Sequence, residues 1–194
     1  MISDGAPCGR TPLEVIAATE ENLRRISCVN DGFVAPALNE WRYATRHMAE
    51  LLENPGGGIE REKAMRHLER AYFDSSDILL TVLLDAFRAF SEDFGEYLDV
   101  VQSVMPDFSR WRGEMREARR FLLDARRGDG RFEVARRMDE ISAGLFVILD
   151  EIDGNREALA ARVKKERRRE CRELAALLVG IVAAVAAVVA LFLR

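Results

Sequence analysis

Apolar positions recur at three- and four-residue spacing along most of this chain, and alternation with period two is nearly absent. That pattern predicts an all-α protein: an antiparallel bundle of about four to five long helices, followed by one C-terminal transmembrane helix. The first helix opens at Thr11-Pro12-Leu13-Glu14, a capping box with Pro at the first helical position. It is expected to reach Asp31 and stop at Gly32, with Leu13, Ile16, Leu23 and Ile26 inward. A second starts near Pro36 and ends before Asn54-Pro55-Gly56-Gly57-Gly58, with Trp41, Ala44, Met48, Leu51 and Leu52 as its stripe.

The stretch Ile59 to Met105 lacks Pro, so it reads either as one long helix or as two broken near Gly95. Pro106 ends it. A fourth helix spans about Asp107 to Arg127, with Trp111, Met115, Ala118 and Leu122 inward, and Gly128-Asp129-Gly130 forms a turn. The fifth runs from Arg131 to about Ile152, with Phe132, Ala135, Met138, Ile141, Leu145 and Leu149 inward. A break is expected at Asp153-Gly154-Asn155, and charged helix continues beyond it. Short connections between long helices imply antiparallel neighbours.

Residues 174–193 carry no charge, no Pro and no hydrogen-bonding side chain. Twenty such residues at about 1.5 Å rise cover about 30 Å, the thickness of a bilayer's hydrocarbon core. The expected organisation is a flexible N-terminus (1–10), a cytoplasmic bundle (11–153), a basic juxtamembrane helix (154–173) and a transmembrane helix (174–193). Only Arg194 follows the apolar run, which makes the expected anchor a terminal one. Within it, Ala176, Gly180 and Ala184 place small residues on one face, a spacing that favours self-association.

Charge sharpens this picture. Residues 155–173 hold eight Lys/Arg against four Glu, whereas residues 1–154 hold 20 Lys/Arg against 29 Asp/Glu, a balance of −9. Arg162, Lys164, Lys165, Arg167, Arg168, Arg169 and Arg172 precede the apolar run. The positive-inside rule then puts the N-terminal domain in the cytoplasm of a single-pass protein of the cell (inner) membrane. The same collar is expected to meet anionic headgroups. A domain at −9 is not expected to bind nucleic acid non-specifically. Cys8, Cys28 and Cys171 have no paired spacing, which argues against disulfides and zinc.

Candidate chemistry rests on two histidines. His47 and Glu50 share a helix face, but the Glu-x-x-His pairs of di-metal bundles are absent, so no metal or cofactor is expected. Arg42 and Arg61 each precede a histidine, His47 and His67, by four and five intervening residues. This resembles the Arg/His element of HEPN ribonucleases, which are also small helical domains. The resemblance implies metal-independent RNA cleavage, with His67 as acid/base and Arg61 stabilising phosphate charge. The residues after the arginines are Tyr43 and Glu62, where many HEPN members carry Asn, Asp or His.

The function expected from these features leans away from an enzyme. It is a tail-anchored protein whose cytoplasmic bundle acts in protein–protein interaction or self-association, a small bacterial membrane effector being its sharper form. The alternative is a membrane-tethered HEPN-like ribonuclease. The expected partners are the bilayer and a protein partner or second copy.

Overall fold

The computed structural model describes residues 11–29, 34–127 and 130–192, with side chains described as far as Ala186. The expected flexible N-terminus, the Gly32 stop and the Gly128-Asp129 turn lie outside those residues. Six α-helices and no strand are present among the described residues. They are α1 (Pro12–Val29), α2 (Ala35–Glu53), α3 (Gly58–Asp93), α4 (Leu98–Val104), α5 (Phe108–Ala125) and α6 (Arg131–Phe192). The predicted all-helical bundle is what the chain forms.

The capping box is made. Thr11 N–H donates to Glu14 Oε2 at 2.7 Å, and Glu14 N–H donates to Thr11 Oγ1 at 3.4 Å. The inward face of α1 includes the expected Ile26 and, partly buried, Ile16, but not Leu13. Val15, Thr19, Asn22 and Ile26 are buried, whereas Leu13 is 73% exposed. Thr19 can sit in this stripe because its hydroxyl bonds back to the Val15 carbonyl at 2.8 Å.

Between α2 and α3, Asn54 leaves helical geometry (φ −131°, ψ 79°), as a residue before Pro55 must. Gly57 N–H then closes a tight turn on the Asn54 carbonyl at 3.1 Å. Of the two expectations for 59–105, the broken one holds. Phe94 falls out of helical geometry (φ −115°, ψ 9°), Gly95–Tyr97 form a 3₁₀ turn, and α4 follows. Pro106 ends α4 by forcing Met105 to an extended backbone. No break occurs at Asp153-Gly154-Asn155, because α6 continues through it. A single Gly costs a helix only about 1 kcal/mol relative to Ala, too little to end it.

The chain forms two compact units. The first comprises residues up to Asp93 together with Arg110–Asp150. Its α1 and α2 both pack on α3, and Val15, Ala44, Leu68, Tyr72 and Ala135 form a core cluster. Trp111, Met115, Ala118 and Leu122 of α5 are buried as expected. A polar network lies inside this unit. Asp139 accepts hydrogen bonds from Tyr72 Oη (2.6 Å), Ser76 Oγ (2.8 Å) and Asn22 Nδ2 (3.0 Å). Three helices thus meet on one carboxylate, and the bonds hold only in one register.

The second unit comprises Phe94–Ser109 and the chain from Glu151 onward. Val101, Met105, Phe108, Ile152 and Leu159 are its buried apolar residues. Arg162 donates to Ser103 Oγ at 3.1 Å.

The transmembrane expectation is corrected. Among the described residues, no helix is long and apolar enough to cross a membrane. The reason lies in the charges beside the apolar run. Glu170, Arg172 and Glu173 border the apolar run, and the thirteen apolar residues described after them, 174–186, cover about 20 Å at about 1.5 Å per residue, short of a bilayer core of about 30 Å. Residues 187–193 of the expected span fall outside the described side chains. The assignment to the cell inner membrane, single-pass with a cytoplasmic N-terminal domain, is overturned with it.

Candidate functional site

The α2–α3 hairpin brings together the two histidines that the sequence singles out separately. The His47 and His67 rings stack with centroids 5.4 Å apart and planes 12° from parallel. Tyr43 lies against His67 at the same 5.4 Å centroid distance, tilted by 37°. Three carboxylates complete the cluster. His47 Nδ1 sits 2.5 Å from Glu60 Oε2 and 3.3 Å from Glu50 Oε2, and His67 Nδ1 sits 2.7 Å from Glu40 Oε2. Each ring is thereby oriented by a carboxylate oxygen at its Nδ1.

Charge and burial act on two carboxyls near the cluster in opposite directions. The Lys63 ammonium, 2.7 Å from Glu60 Oε1, holds the Glu60 carboxyl down at about 2 against its partial burial, and the His47 hydrogen bond adds to this. Asp74 behaves oppositely: burial pushes its carboxyl above the usual range, and Glu40 and Asp77 add to the effect. Arg131 and Arg70 partly offset it.

His47, Glu50 and Glu60 offer ligand atoms that all lie within 4.8 Å of one another, so one imidazole and two carboxylates converge at a single point. Such a set suits a divalent cation in chemical type. It is also a stable ion-pair cluster without one, because Lys63 supplies positive charge. The linear spacing hides this grouping, since Glu60 comes from the next helix. A usable signal exists all the same: His47 and Glu60 flank the Asn54–Gly57 turn, and a hairpin folded there sets them opposite each other.

Beside His67, a cavity of about 460 Å³ is lined by Lys63, Arg66, His67, Glu69, Arg70 and Arg131. The sequence-predicted Arg61 is exposed and is not among these residues. His67 therefore lies next to cations, but from Arg66 and Arg70 and not from the arginine of the HEPN-like spacing. Other predicted residues fall on α6. Lys164, Arg167, Arg168 and Arg172 share one surface of the helix. Arg169 is tied to Glu173 at 2.9 Å and Glu166 at 3.6 Å. Ala176, Gly180 and Ala184 are all exposed. No protein-family description, curated protein or solved structure matches this chain.

Proposed function

We propose that this chain is a protein-interaction module that self-associates through the apolar end of α6. One observation carries the reading: every residue from Leu174 to Ala186 is exposed, although twelve of those thirteen positions are Leu, Val, Ile or Ala and the other is Gly180. Leu178 is 62% and Val179 is 70% exposed. A helix that is apolar on all sides is ordinarily enclosed by neighbours, and apolar patches of this extent mark interaction sites. Burying such surface is worth about 25 cal/mol per Å².

The occupant proposed is a second copy. Ala176, Gly180 and Ala184 put small residues one turn apart, and a Cβ placed on Gly180 would meet nothing within 4 Å. Two such helices can approach backbone to backbone on that line, and an identical partner presents the same line. Sedimentation of the full chain tests this against a chain ending at Glu173. A defined oligomer for the full chain and a monomer for the shortened one is the expected result. A monomeric full chain, or aggregates without fixed stoichiometry, would overturn it.

A second reading, a HEPN-like ribonuclease, is supported by the Glu40–His67 pair beside the Lys63/Arg66/Arg70/Arg131 cavity. It requires an RNA cleavage that His67→Ala abolishes while oligomer size stays constant.

A further inference from the structure

A groove between α3 and α5, wholly inside the first unit, combines an apolar floor with an arginine rim. Its volume is about 440 Å³, within the range of small-molecule sites. Phe87, Met115 and Leu122 line it and are at most 6% exposed. Five arginines line it as well: Arg88, Arg112, Arg116, Arg119 and Arg126.

The five are not equivalent. Arg126 is neutralised by Asp77, with Nε and Nη2 at 2.7 and 2.8 Å from its two carboxylate oxygens. Arg88 lies 3.1 Å from Asp85. Arg112, Arg116 and Arg119 have no ion pair among the described residues. They stand at positions i, i+4 and i+7 of α5, on one face. Like charges at that spacing repel and destabilise a helix.

Several other arginines of this chain have an acidic partner. Arg24 pairs with Glu21, Arg110 with Glu114, Arg136 with Glu133 and Arg169 with Glu173, each within one helical turn. The α5 trio lacks such partners among the described residues, and it stands at the edge of a groove floored by Phe87, Met115 and Leu122, in a region of net charge −9. Guanidinium groups are suited to phosphate, which they grip through two parallel N–H bonds.

We infer that the α3–α5 groove binds an amphiphilic phosphate ester. Its phosphate is held by Arg112, Arg116 and Arg119, and its apolar body lies over Phe87, Met115 and Leu122. This holds however the end of α6 is covered. The phosphate can come from a nucleotide or from an alkyl phosphate, and the floor, made of side-chain carbon, accepts a flat ring or a short chain.

Calorimetry on the full chain separates the possibilities, with inorganic phosphate, hexyl phosphate and ADP as probes. Hexyl phosphate or ADP is expected to bind at least about tenfold more tightly than inorganic phosphate, because only they reach the floor. Tighter hexyl phosphate assigns an alkyl source, and tighter ADP a nucleotide. The paired change Arg116→Gln and Arg119→Gln should weaken that binding about tenfold or more, whereas Arg120→Gln, outside the groove, should leave it unchanged. Neither ester binding better than inorganic phosphate would overturn the inference. So would unchanged affinity in the Arg116/Arg119 variant.

Discussion

Two stretches of α6 have similar helix-forming composition and opposite surroundings. In residues 131–150, Ala135, Met138, Ser142, Leu145 and Ile148 are buried, three or four residues apart, and the positions between them are half-buried or exposed. In residues 174–186 every position is exposed and nearly all are apolar. The first stretch has its partners in the same unit: Ala135 belongs to the cluster of Val15, Leu68 and Tyr72. The second has an apolar surface and no periodicity. Periodicity therefore records a partner that covers one side of a helix. Its loss in an apolar helix records the need for cover on all sides, and says nothing about what supplies it.

The largest expected effect comes from cutting matched apolar side chains in the two settings. Leu68→Ala removes a side chain that is 1% exposed in the core cluster, and should cost about 2–5 kcal/mol in urea unfolding. Leu178→Ala removes the same atoms from a side chain that is 62% exposed. It should leave the unfolding of the first unit within about 0.5 kcal/mol of the parent, while weakening self-association in sedimentation. Equal losses of folding stability from both changes would erase the distinction between the stretches.

The difference in legibility between parts of the chain has the same origin. The α1 capping box, the α2 boundaries and the buried side of α5 are local or periodic, so Thr11, Glu14, Trp111 and Leu122 announce themselves. The inner face of α1 is hidden because Thr19 and Asn22 occupy it, made compatible with burial by the Val15 carbonyl and by Asp139 far along the chain. The His47–Glu60 contact depends on how a hairpin closes. The membrane expectation counted apolar residues through 193, whereas the described side chains of that run cover 174–186 and adjoin the charged Arg169 to Glu173. The unpaired face of α5 is visible only once the ion pairs of the arginines around the groove are known.

Gly154 lies in sequence between the two stretches of α6 and tests their continuity at intermediate magnitude. It is helical, with open space where a Cβ would stand. Gly154→Ala should stabilise the chain by about 0.5–1 kcal/mol, read as a higher midpoint in thermal unfolding followed by circular dichroism. A break at residues 153–155, as the local sequence suggests, would make the substitution neutral or harmful.

The smallest effect concerns charge in the packed region. Asp74 of α3 is partly buried, and its carboxyl is raised above 3.8 first by that burial, then by Glu40 and Asp77. An acid raised on folding costs the fold nothing below its unfolded value, where it is protonated in both states. It exerts its full cost above its folded value, where it is ionised in both. Asp74→Asn removes the charge and keeps the shape. At pH 7 it should therefore stabilise, on the order of 0.5 kcal/mol, the scale of changes outside a core. That gain should shrink as pH falls through the folded value towards 3.8 and vanish below it. Thermal midpoints of parent and variant between neutral and acidic pH give the measurement. A gain independent of pH would mean that the benefit comes from the amide's own hydrogen bonds. Charges at the far end of α6 supply the contrast: Glu173 is 64% exposed and paired with Arg169, so Glu173→Gln should bring no such gain at neutral pH.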